Sequence, residues 1–164
     1  MKRRAILALS TALMLSACGF QLRGSNGQAT LPFQTIYIGT AETSPLGIEL
    51  RRYIRASGDT AVVTDQKQAQ ATIEVLNEAR EKATLTLNTQ GRVREYSLYY
   101  RVKFRVMGNK GNELLAPTEL VLKRDISFNE SQVIAKEKEE ELLYRDMQSD
   151  VVQQILRRLT ALKA

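Results

Sequence analysis

Two groups of residues in this chain are equipped for chemistry: a single thiol, Cys18, and a row of cations, Arg101, Lys103 and Arg105, alternating along one stretch. There is no histidine and no second cysteine. Serine–histidine–aspartate triads, cysteine–histidine dyads and the usual zinc sites are therefore excluded, as is an internal disulfide. No glycine-rich phosphate loop and no recognisable carboxylate pair stands in their place. The expected chemistry is attachment and binding rather than turnover, with no cofactor and no metal. Arginine presents a planar fork to phosphates and carboxylates, and lysine a point charge. Arg92 and Arg94 extend the cationic row toward a turn, and Arg80, Lys82 and Lys123 flank it. Such a row suits an anionic glycolipid or an acidic partner surface. It equally suits a solvated strand face whose cations discourage edge pairing. Glu137, Glu139, Glu140 and Glu141 form an acidic run. That run is better explained as a dipole-matched helix start than as a metal site.

The setting of Cys18 gives the thiol its meaning. Lys2, Arg3 and Arg4 precede an apolar run at 5–15, which ends in Leu15-Ser16-Ala17-Cys18. A charged start, a short apolar middle and a small-residue exit make an export signal, and the run is too short to span a bilayer. Leu-Ser-Ala-Cys resembles the lipobox of bacterial lipoproteins; a soluble secreted protein with an incidental cysteine is the alternative. The resemblance implies cleavage after Ala17, a diacylglycerol on the Cys18 sulfur and acylation of the new amine. Stable anchoring takes more than one acyl chain, which this supplies. Gly19, where aspartate would favour inner-membrane retention, implies the outer membrane, on its periplasmic side. Loss of the signal leaves 21 basic residues against 18 acidic, a net of +3 instead of +6. That charge is too small for a nucleic-acid footprint.

The elements that position these residues follow from periodicity. The chain divides into a signal at 1–17, a lipidated tether at 18–32 and one domain at 33–164. Residues 33–39 read as a strand. Ser44-Pro45 caps a helix with Leu46, Leu50, Tyr53 and Ile54 at helical spacing and Gly58 as its stop. Residues 61–64 form a brief extended piece. Residues 71–88 form a long strand with Ile73, Val75, Ala79 and Ala83 on one parity, and Leu76-Asn77 predicts a bulge. A hairpin turn at 89–92 leads into the clearest strand, 93–107, where Tyr96, Leu98, Tyr100, Val102, Phe104 and Val106 alternate with polar residues. A further strand covers 114–128. Asn129, with Gln132 three residues on, opens a last helix carrying Leu143, Met147, Val151, Ile155, Leu159 and Leu162 as its apolar stripe. The expected fold is an α/β two-layer sandwich, with two helices packed on one face of a four-stranded mixed sheet. Arg101, Lys103 and Arg105 then lie on the open face.

This chain resembles the LptE family of lipopolysaccharide-assembly lipoproteins. The similarity opens at Cys18-Gly19-Phe20-Gln21-Leu22-Arg23-Gly24, against the family's Cys-Gly-aromatic-x-Leu-Arg. It continues at Glu95-Tyr96, Arg124, Asn129, Gln132, Ala135-Lys136, Glu140 and Arg145-Asp146-Met147, and covers nearly all of the mature chain. The resemblance implies a non-enzymatic protein that sits as a plug inside the LptD outer-membrane β-barrel, helps it fold and assists lipopolysaccharide delivery. It also implies lipopolysaccharide contact through basic residues. Lys136 matches one such position; the second aligns with Thr89, with Arg92 and Arg94 the neighbouring cations. A lipoprotein chaperone, or a pilotin-like part of another envelope assembly machine, is the alternative. An envelope hydrolase is a third reading, with no side-chain constellation behind it.

Overall fold

The computed structural model describes residues 31–58 and 60–162. Cys18, the opening motif at 18–24 and most of the expected tether lie outside the described residues. Strand β1 (Thr35–Gly39) leads to helix α1 (Pro45–Ser57), the short strand β2 (Ala61–Val62), the long strands β3 (Ala71–Leu87), β4 (Val93–Gly108) and β5 (Glu113–Ser127), and helix α2 (Val133–Thr160). One mixed sheet has the order β2-β1-β3-β4-β5, with β1 parallel to both neighbours and the remaining pairs antiparallel. Both helices cover one face, as expected. The sheet has five strands rather than four because the extended piece after α1 pairs with β1: Ala61 N–H donates to Gln34 at 2.8 Å and Val63 N–H to Ile36 at 3.0 Å. This edge stays short because Asp65 accepts from Lys67 N–H and turns the chain.

Local signals set the helix ends. Ser44 accepts from Gly47 N–H, Pro45 occupies the first turn, and Gly58 closes α1 with a left-handed φ of 83°. Asn129 caps a 3-10 turn (Glu130–Gln132) rather than α2 itself, which begins at Val133 without a side-chain cap. The core lies between helices and sheet. It holds Leu46, Leu50 and Ile54 from α1, Met147, Val151, Ile155 and Leu159 from α2, and Leu98, Tyr100, Val102, Phe104 and Val106 from β4, all fully buried.

Strand β3 departs from the expected pattern. A bulge does fall at Leu76: Val75 pairs with Phe104, but Asn77 pairs with Lys103. The extra residue reverses which parity faces the helices. Beyond it Glu78, Arg80 and Lys82 stand opposite Val102, Tyr100 and Leu98 on the helix side, while Ala79, Glu81 and Ala83 join Arg101, Tyr99 and Ser97 on the open side. Arg80 and Lys82 therefore do not extend the open-face cationic row.

Candidate functional site

The cations singled out in sequence separate into two places. Arg94 and Lys136 line one cleft at the far end of the β3–β4 hairpin, and Arg92 lies on the turn that closes that hairpin. Asn88 shapes the turn there, its Oδ1 accepting from the N–H of Gln90 and of Arg92 at 2.9 Å each, with Gly91 at a φ of 76°. Phe128 N–H donates to the Arg94 carbonyl at 2.7 Å, which draws the start of the last helix toward the hairpin. Tyr96 and Phe128 meet edge to face at 5.3 Å. The resulting cleft, about 550 Å³, is lined by Leu87, Arg94, Glu95, Phe128, Gln132 and Lys136, among others. Lys136 is held in place: its Nζ donates to Ser127 Oγ at 2.9 Å and to Glu139 at 2.8 Å, and its side chain is only 17% exposed. Arg92 does not line the cleft: it is 63% exposed and paired with Glu130 at 2.9 Å. Arg94 has no ion pair among the described residues. A phosphate entering this cleft would meet an unpaired guanidinium and a lysine that needs only to exchange Glu139 for the ligand. Thr89, exposed on the turn, adds no charge.

Arg101, Lys103 and Arg105 lie on the opposite, uncovered face, where the two arginines are ion-paired and Lys103 has no ion pair among the described residues. Arg105 pairs with Glu74 at 2.7 Å, Arg101 with Glu81 at 3.2 Å, and Lys103 faces Glu119 across the β4–β5 register. Lys123 pairs with Asp125 at 3.2 Å. The Ser97 hydroxyl, donating at 2.7 Å, and the Lys123 ammonium hold the Asp125 carboxyl below its usual range. This face is a ladder of alternating signs, suited to a mixed polar wall rather than to a polyanion.

A third polar group lies under α2, and the sequence reading missed it. The Arg80 guanidinium sits over the rings of Tyr144 and Tyr100 at 5.3 and 5.7 Å and donates to Gln148 at 3.4 Å. Gln148 in turn donates to Glu49 at 2.8 Å, and Ser149 donates to the same carboxylate at 2.6 Å. The Tyr100 hydroxyl donates to Glu78 at 2.6 Å, and burial first, then that carboxylate, drives its pKa far above the ordinary value. Burial likewise raises Tyr144, which donates to the Glu81 carbonyl at 2.8 Å. Every buried side-chain nitrogen and oxygen among the described residues has a partner. The group is a joint between α1, α2 and β3 rather than a site with chemistry to spare. The one available signal was Gln148 inside the apolar stripe.

No three metal-ligating side chains cluster among the described residues, and no described helix is long and apolar enough to cross a membrane.

The family model for lipopolysaccharide-assembly LptE matches residues 33–159, from the start of the sheet to the end of the core helix. The lipopolysaccharide-assembly lipoprotein LptE of Pectobacterium atrosepticum is 26% identical over 93% of this chain and 83% of its own length. Its counterpart in Yersinia enterocolitica is 26% identical over 97% and 76%. The solution structure of a lipoprotein B from Nitrosomonas europaea is 40% identical, with a TM-score of 0.74 over 87% of this chain and 91% of that one. The rare lipoprotein B of Shewanella oneidensis is 25% identical, with a TM-score of 0.68 over 77% and 94%.

Proposed function

The chain belongs to the LptE family of lipopolysaccharide-assembly proteins, and from that premise we propose that it is an outer-membrane lipoprotein that acts as plug and folding partner of the LptD β-barrel. A part in lipopolysaccharide assembly comes with the family. The observation that carries it is the extent of the match, which takes in both helices and every strand. The uncovered face supports the plug role. A barrel lumen is polar, and the ion pairs Glu74–Arg105 and Glu81–Arg101 give the uncovered sheet face a polarity that suits it. The cleft of Arg94 and Lys136, with Arg92 on the neighbouring turn, is the place for a phosphate of lipopolysaccharide. No step requires turnover: the protein works by shape, packing and charge.

The test is a pull-down of the tagged full-length lipoprotein from outer membranes, with bound proteins identified by mass. Recovery of a large β-barrel is the expected result. Recovery of a different envelope machine instead, or a normally assembled barrel in a deletion strain, would replace the plug reading with that of a chaperone or pilotin-like component.

A further inference from the structure

A groove of about 520 Å³ runs between α1 and the short edge of the sheet. Helix α1 contributes three arginines to it, Arg51, Arg52 and Arg55, and the one acid among its described lining residues is Glu42. Arg51 is anchored by neutral oxygens: its guanidinium donates to the Thr40 carbonyl and to Thr40 Oγ1, at 3.3 Å each. Gly47 makes room for that anchor, since a side chain there would collide with Thr40 and crowd Arg51. Arg52 is 70% exposed, lies over the Tyr53 ring at 5.3 Å and reaches Glu49 only at 3.5 Å. On the uncovered face, by contrast, Arg101 and Arg105 meet carboxylates at 3.2 and 2.7 Å. The groove by α1 is therefore the more receptive to an added negative charge.

The same groove opens on an unfinished strand edge. Strand β2 pairs with β1 only at Thr35–Ala61 and Ile36–Val62, whereas β1 runs on to Gly39. On that side the Gln34 carbonyl accepts from Ala61 N–H at 2.8 Å and the Ile36 carbonyl from Val63 N–H at 3.0 Å. Main-chain groups alternate in direction along a strand, so the Ile38 N–H points the same way, into the groove that Ile38 lines. Val62 and Val63 stand beside it, and Ile48 of α1, 52% exposed, adds to its apolar wall.

We infer that this groove docks an extended acidic segment of a partner protein, which pairs with β1 where β2 leaves off. Strand addition draws affinity from main-chain hydrogen bonds and specificity from alternate side chains. Along β1, Ile38 is buried under the helices while Tyr37 faces the uncovered side, and the side chains of an added strand alternate in the same way. Those on the helix side are the acids, which meet Arg51, Arg52 and Arg55. Those on the other side are apolar and meet Tyr37 and Val63. A free phosphate or a lipid headgroup would use the arginines but neither the open edge nor the apolar wall. The docking stands whether or not the partner is a barrel, and its test uses neither a barrel nor lipopolysaccharide.

The probe is a labelled, capped peptide, Glu-Val-Glu-Val-Glu-Val, titrated with the full mature chain in detergent and read by fluorescence anisotropy. Binding that weakens with salt is expected, and a Lys-Val-Lys-Val-Lys-Val peptide should not bind. Arg52→Gln combined with Arg55→Gln should weaken binding at least about tenfold, the equivalent of one charge-assisted hydrogen bond. Both side chains are exposed, so the variant should melt like the parent. Lys110→Gln, on the loop after β4, should leave the affinity unchanged. Only alternate N–H groups of a strand face a given neighbour. N-methylation of either the valines or the glutamates should therefore abolish binding, and N-methylation of the other set should not. The Ile38 amide signal should shift in the NMR spectrum of the complex. Absence of binding, an affinity untouched by the arginine substitutions, or tolerance of both N-methylation patterns would overturn the inference. So would displacement by inorganic phosphate, or by phosphatidylglycerol added to the micelles, as readily as by unlabelled peptide.

Discussion

The two ends of the sheet are built by different means. Near β1, the strands carry Ala71, Ile73, Phe104 and Val106 into a core sealed by both helices, and burial there is complete. Beyond the Leu76 bulge, β3 has no buried residue. That end is held by Arg80 over two tyrosines, Lys82 beside Tyr96 and Glu140, and Tyr144 bonded to the Glu81 carbonyl. Hydrophobic burial is non-directional and strong, so the first end can supply the stability. Ion pairs at the surface contribute little to folding, so the second end can carry exchangeable charge. The division explains why the candidate cleft sits at the hairpin end, where partners such as Glu139 can be swapped without opening the core.

The largest effect expected from this contrast is at the sealed end. Phe104→Ala should destabilise the domain by about 3–5 kcal/mol, the usual cost of emptying a large aromatic site, measured by chemical denaturation. At the seam between the helices, Glu49→Ala leaves the Gln148 amide and the Ser149 hydroxyl without their acceptor. The loss should be about 2 kcal/mol, and Gln148→Leu in the same background should recover part of it, because it removes one orphaned donor. Full additivity of the two substitutions would show that the carboxylate does not couple them.

At the hairpin end the sign of the comparison reverses. Lys136→Asp combined with Arg92→Asp should leave the denaturation midpoint nearly unchanged but weaken lipopolysaccharide association at least about tenfold, the equivalent of one charge-assisted hydrogen bond. Unchanged association would remove direct lipid contact and leave the plug role alone. A loss of stability comparable to Phe104→Ala would break the contrast itself, by making the cleft part of the core.

How far each end could be read in advance follows from the same physics. Strand β4 was legible because its buried face repeats with period two through Leu98, Tyr100, Val102, Phe104 and Val106. Helix α1 was legible because Ser44, Pro45 and Gly58 act locally. The bulge could be placed, but not its effect, since only the pairing of Asn77 with Lys103 shows that parity reverses there. Arg80 and Lys82, which spacing alone sets beside the open-face row, consequently lie on the helix side. The cleft unites residues from the hairpin and the start of α2 through the Arg94–Phe128 backbone bond and the Lys136–Ser127 contact. The acids that pair with the open-face arginines, Glu74 and Glu81, are likewise cross-strand neighbours fixed by register. Spacing along one chain carries no such information.

The smallest effect tests whether the open face behaves as a ladder of paired charges. Asp125 has a folded pKa below its ordinary value of 3.8, held there by the Ser97 hydroxyl first and Lys123 second. A depressed carboxylate adds stability that is fully present above the unfolded pKa. As pH falls below 3.8, the unfolded state takes up the proton first, and the contribution is gone once the folded carboxyl has also titrated. Ser97→Ala removes the leading cause and should flatten the acid limb of stability between pH 5 and pH 2, leaving neutral stability only slightly lowered. The carboxylate is open to solvent, so salt should shrink the remaining Lys123 share of the effect. An acid limb unaltered by both Ser97→Ala and salt would mean that the charges on this face act independently, and the open sheet would then resemble the hairpin end in having solvated ions available to an incoming partner.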